Sequence, residues 1–146
     1  TTVAVSWSVV QRRWNTRSMN EIELAAGLAQ TPGYRYADAV GDRLFVAGQV
    51  PLDEFGAVAG AGQVGVQTEQ CLANLFAVVE AHGFSRDDIH QLTIYVVGPR
   101  SNLSDAWSTV SRAFESDVPP ATLLGVQCLG YEEQLVEIDA RIERRD

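Results

Sequence analysis

The chain has 146 residues, 19 acidic against 11 basic side chains, and 46% hydrophobic residues. That length predicts one compact domain, or one domain with a terminal appendage, large enough to be stable without disulfides or a structural metal. A formal charge of −8 repels phosphate backbones and anionic lipid surfaces, so binding to nucleic acid or to a membrane is disfavoured from the outset.

At the front, Val3 to Val9 alternates large apolar and small residues, the pattern of a half-buried strand. A basic stretch with Arg12, Arg13 and Arg17 follows, and Asn20-Glu21-Ile22-Glu23 reads as an N-cap opening a short helix. Strands are expected over Tyr34 to Val40 and Leu44 to Val50, joined by a turn at Gly41-Asp42 and closed by Pro51. The clearest helix carries Cys71, Leu75, Val78, Val79 and His82 at helical spacing, flanked by Leu72 and Phe76 and stopped by Gly83. A strand from Leu92 to Val97 leads to a second helix, in which Leu103, Ala106, Trp107, Val110 and Phe114 share one face. Strands over Ala121 to Leu129 and Leu135 to Arg144 complete the chain, separated by a turn at Gly130 to Gln134. In the last, Val136, Ile138, Ala140 and Ile142 alternate with Glu137, Asp139, Arg141 and Glu143, so one face meets helices and the other is polar. The order of elements is that of an α+β layer with two helices on one sheet face and a strand pair at each end.

The longest apolar stretches, Val40 to Val50 and Leu72 to Val79, fall short of the ~20 residues of a membrane span. Thr1 to Val5 has no signal-peptide pattern, so a cytoplasmic protein is expected. Cys71 and Cys128 lack CxxC spacing and read as packed free thiols. Gly60, Gly62 and Gly65 spell GxGxxG, but only Ala57-Val58-Ala59 precedes them where a dinucleotide site needs a buried strand, so they read as a connection and no cofactor is expected. His82 and His90 have no metal-type spacing, and Ser85 with Asp88 three residues on reads as a helix cap rather than part of a metal site. Glu137 lies on the polar face of the last strand; if a neighbouring subunit covered that face, the carboxylate could serve as a general acid or base.

The run Leu44-Phe45-Val46-Ala47-Gly48-Gln49-Val50-Pro51-Leu52-Asp53 is followed by Gln67-Thr68-Glu69-Gln70 with Leu72, Asn74 and Leu75, then Pro119-Pro120-Ala121 and Val136-Glu137-Ile138-Asp139-Ala140. This ordered series resembles the RidA/YjgF family, also called reactive intermediate deaminases or L-PSP endoribonuclease-like proteins. The resemblance spans Gly33 to Arg144 and leaves residues 1–32 as an N-terminal extension to a domain over 33–146. It implies a chorismate-mutase-like α+β fold, a homotrimer, and small-molecule pockets at the subunit interfaces. Family members hydrolyse enamines or imines to keto acids and ammonia, with an arginine on the substrate carboxylate and a glutamate that activates water.

By that resemblance Glu137 and Tyr34 are the catalytic pair, and Gly48, Ala47, Trp107, Thr122 and Leu124 line the substrate site. Three of these depart from the family: Thr122 stands where the arginine is usual, Ala47 where a serine is, and Trp107 where a helix asparagine is. Loss of a charge-assisted bond worth about 1.5 to 3 kcal/mol predicts roughly ten- to hundredfold weaker carboxylate binding unless Arg35 or Arg43 compensates. The expectation is therefore a RidA-like hydrolase with an altered pocket, the alternative a non-catalytic small-molecule-binding protein. Nuclease activity is the least favoured, given the acidic surface.

Overall fold

A computed structural model describes residues 19–146. The expected strand at Val3 to Val9 and the arginine-rich stretch after it lie outside the described residues. The elements are α1 (Glu21–Ala25), β1 (Ala37–Val40), β2 (Arg43–Val46), α2 (Val64–Ala81), a 3-10 turn (Arg86–Asp88), β3 (Ile89–Val97), α3 (Arg100–Ala113), β4 (Ala121–Val126) and β5 (Val136–Glu143). The five strands form one mixed sheet in the order β1-β2-β5-β3-β4, antiparallel except for the parallel β3–β4 pair.

The sheet order corrects the expectation of a strand pair at the C-terminal end. The last two strands are not neighbours: β4 follows the crossover helix α3 and so runs parallel to β3 at the sheet edge, while β5 inserts between β2 and β3. Central placement suits β5, whose Val136, Ile138, Ala140 and Ile142 are all buried against the helices. From β3 come Leu92, Ile94 and Val96, and from α2 come Cys71, Leu72, Leu75, Phe76 and Val79, in one core cluster. Phe76 meets Phe114 edge to face with ring centroids 5.6 Å apart.

Several local expectations change. The second strand stops at Val46 rather than Val50, because the chain breaks step there and rejoins the sheet only through a Gln49–Ile138 bridge. The strand expected to begin at Tyr34 begins at Ala37, and the one expected to reach Leu129 stops at Val126. Trp107 leaves the buried stripe of α3: Ala106 and Val110 are fully buried, whereas Trp107 is 39% exposed. Cys71 is buried but Cys128 is exposed, so only one of the two thiols is packed; both are free. Asn20 does not cap α1 with its side chain, which instead ties down the chain ahead of β1. Ser85 does cap its turn, its backbone N–H donating to Asp88 Oδ2 at 2.8 Å. Among the described residues no helix is long and apolar enough to cross a membrane.

Candidate functional site

Glu137 is the second residue of β5 and points away from the helices, as the period of a strand requires. Its neighbour Ile138 exchanges both backbone hydrogen bonds with Gln49, at 2.7 and 3.0 Å. That pairing sets Gly48 against Glu137, and a Cβ at position 48 would collide with the Glu137 carboxylate. Glycine is needed there for close approach rather than for an unusual backbone angle. Gln134, buried just before β5, donates from Nε2 to Glu137 Oε1 at 3.2 Å and to the Val136 carbonyl at 3.0 Å. Its Oε1 accepts from the Tyr131 N–H at 3.1 Å, so one amide positions both the carboxylate and the loop beside it. Gln67 of α2, fully buried, anchors that loop by donating to the Glu133 carbonyl at 2.8 Å and accepting from Leu135 N–H at 2.7 Å.

Tyr34 arrives from the opposite side on the irregular segment between α1 and β1. Asn20, in a left-handed conformation (φ 61°), holds that segment. Its Nδ2 donates to Gln30 Oε1 (2.9 Å), Thr31 Oγ1 (2.8 Å) and the Tyr34 carbonyl (3.0 Å), while its Oδ1 accepts from Tyr36 N–H at 2.9 Å. Thr31 also donates to the Tyr34 carbonyl. Tyr36 is buried and donates its hydroxyl to the Ala29 carbonyl at 2.7 Å. These bonds engage both N–H groups of the Asn20 amide, one shared between two acceptors, and its oxygen; asparagine is also among the few residues that tolerate the left-handed backbone. Burial pushes the Tyr34 phenol up to about 12, helped by the charge of and a hydrogen bond to Tyr131. At neutral pH Tyr34 is thus a proton-bearing donor.

These residues enclose a cleft of about 400 Å³ lined by Pro32, Tyr34, Ala47, Gly48, Val50, Gly130, Tyr131, Gln134 and Glu137. Four of the residues singled out in the sequence therefore converge: Tyr34, Ala47, Gly48 and Glu137. Thr122, Leu124 and Trp107 do not line this cleft. Register places Leu124 across from Tyr95, which pairs with Glu137, and Thr122 across from Thr93, which pairs with Asp139. Thr122 and Leu124 thus share the open sheet face with Glu137 but stand two strands away, roughly 10 Å. Trp107 lies on α3, whose buried residues pack on the other side of the sheet.

Arg43 pairs with Glu143 at 3.3 Å, six residues along β5 from Glu137, roughly 20 Å away; it does not reach the cleft of its own chain. Arg35 does not line it either. Two larger depressions, about 810 and 760 Å³, lie near Arg43, Asp139 and Arg141 and near Asp87, Phe114 and Arg145, and neither is lined by Tyr34, Gly48 or Glu137. No group of three or more His, Cys, Asp or Glu side chains suited to a metal occurs among the described residues. His82 Nε2 instead meets buried Glu23 at 2.7 Å, joining α1 to the end of α2.

Tyr131, Gln134 and Asn20 were not legible as site residues. Tyr131 and Gln134 fall in a segment that reads only as a turn, and Asn20 reads as a cap. The signal that could have found Gln134 is a long amide three residues before a strand glutamate, within reach of its carboxylate.

Comparison with known proteins agrees with this fold. The Endoribonuclease L-PSP family matches residues 26–143. A RutC family protein of Sulfurisphaera tokodaii is 33% identical over 105 residues, covering 72% of this chain and 82% of the relative. Among solved structures, an endoribonuclease candidate from Thermotoga maritima superposes with a TM-score of 0.74 at 28% identity, covering 83% of this chain and 94% of the other. The YjgF gene product of E. coli gives 0.72 at 26% identity, covering 81% and 93%.

Proposed function

This chain belongs to the Endoribonuclease L-PSP family, which includes the RidA/YjgF proteins, and on that premise we propose that it is a homotrimeric hydrolase of enamines, imines or related labile intermediates. The observation that carries the reading is the seating of Glu137: its carboxylate is held by Gln134 over Gly48, facing Tyr34 across a small cleft. A carboxylate fixed in this way can orient a water molecule and take its proton as oxygen attacks the imine carbon. Tyr34 supplies a hydrogen-bond donor at neutral pH, and the backbone at Gly48 and Ala47 offers contacts that no side chain obstructs. Proton return to nitrogen and cleavage of the C–N bond release ammonia and leave a carbonyl product, so one water is consumed for each imine.

In the trimer, Thr122 and Leu124 of one chain and Trp107 complete the wall of a pocket at the subunit interface. With Thr122 in place of an arginine, the pocket has no guanidinium for a substrate carboxylate at that position. The proposed substrates are accordingly less dependent on a carboxylate than 2-imino acids are. A family named for endoribonucleases invites a nuclease reading, but a chain of net charge −8 is a poor match for a polyanion.

The test is ammonia release from imines generated in situ by a flavin-dependent amine oxidase acting on a simple primary amine. Wild type is expected to accelerate release over buffer and Glu137→Ala to abolish the acceleration. Equal rates for wild type, variant and buffer would overturn hydrolysis and leave a non-catalytic small-molecule-binding protein.

A further inference from the structure

The cleft has an unusual charge balance for a site meant to receive an organic acid. Among the described residues its only charged side chain is Glu137; the other polar side chains are Tyr34, Tyr131 and Gln134, and the rest of the wall is Pro32, Ala47, Gly48, Val50 and Gly130. No arginine or histidine among the described residues lines it. The residues proposed above to complete the pocket in the trimer, Thr122, Leu124 and Trp107, are uncharged as well. On the open face of β5 the nearest arginine, Arg141, is four residues from Glu137, roughly 14 Å along the strand, and Asp139 stands between them.

A carboxylate ligand placed here would lose hydration and meet a fixed carboxylate of like sign, with no cation among the described lining residues to offset either cost. A ligand bearing a positive nitrogen meets the reverse. Gln134 engages Oε1 of Glu137, leaving Oε2 over Gly48 to accept from the ligand. The two phenols add oxygen acceptors and electron-rich rings, both of which attract a cation.

We infer that this cleft selects a small ligand carrying a protonated imine or amine beside an apolar body, and discriminates against carboxylates. The inference rests on the reading of the cleft as the ligand site, and it specifies the substrate class: imines derived from simple amines rather than from amino acids. Glu137 then has two roles in succession, partner to the positive nitrogen on binding and proton acceptor for water in the reaction.

The experiment uses three probes of similar size that cannot be hydrolysed, benzylammonium, benzyl alcohol and benzoate, titrated calorimetrically into the full chain at low and at physiological salt. Benzylammonium is expected to bind at least about tenfold more tightly than benzyl alcohol, and benzoate more weakly than either, with the preference shrinking as salt rises. Glu137→Gln is expected to abolish the preference for the cation, and Asp139→Asn, on the same sheet face, to retain it. Benzoate binding as tightly as benzylammonium, binding of no probe, or a cation preference that survives Glu137→Gln would each overturn the inference. The wild-type series alone decides the matter if Glu137→Gln does not fold. Because no probe contains a cleavable imine, failure to hydrolyse imines leaves this result standing, and failure here leaves the hydrolysis test standing.

Discussion

The two faces of β5 follow opposite rules although they alternate along one strand of eight residues. Val136, Ile138, Ala140 and Ile142 are buried against α2 and the rest of the core. Glu137 and Asp139, on the other face, are half-buried, and Arg141 and Glu143 are exposed. The helix-facing side is held by volume and close packing, which many neighbours share. The open side depends at Glu137 on a few directional bonds, from Gln134 above all, so a change too small to disturb the core can still move the carboxylate.

The largest effect should come from breaking the packed face. Ile138→Ala is expected to lower unfolding free energy by about 2 to 5 kcal/mol, read from urea denaturation, because a fully buried side chain is removed from the centre of the core. A loss below 1 kcal/mol would mean that the two faces do not differ as described. Gln134→Leu sharpens the contrast. It deletes a donor to Glu137 and to Val136 and the acceptor for Tyr131 N–H, and should cost about 1 to 3 kcal/mol. Imine hydrolysis should fall further than stability accounts for, a disproportion that Ile138→Ala, assayed well below its unfolding transition, should not show.

The smallest effect concerns two phenols in the segment before β1. Burial raises both Tyr34 and Tyr36 from the ordinary value of 10.0 to about 12, so between those values the unfolded chain releases protons that the folded chain retains. Stability from these groups is complete below pH 10 and is lost as pH rises toward 12. Denaturation midpoints across that interval should decline in wild type and decline less in Tyr34→Phe. Equal slopes would show that Tyr34 contributes nothing to the dependence.

Much of the fold was legible because it rests on periodicity. Alternation in β5 identified its buried face, and helical spacing identified Cys71, Leu72, Leu75, Phe76, Val78 and Val79 as the core stripe of α2. Trp107 shows the limit of the same rule, since an apolar residue at the margin of a stripe is buried only if a partner reaches it, and α3 is packed on the sheet through Ala106 and Val110 instead. Cys128 fails for a related reason: it follows the end of β4, where the chain has left the sheet.

The amino-acid sequence by itself determined most of the residues that face the core, the α+β class and the family, and it singled out Glu137, Tyr34, Ala47 and Gly48 together with Trp107, Thr122 and Leu124 as candidate site residues. These follow from local period and from ordered runs of residues, which are properties of the chain alone. Only the tertiary structure decided that β5 lies between β2 and β3, that Gln134 and Tyr131 join the cleft, that Asn20 holds the Tyr34 segment, and that no basic side chain among the described residues lines the walls. Such relations depend on bonds between residues far apart in sequence and on irregular segments, where neither side-chain period nor turn chemistry specifies the neighbours.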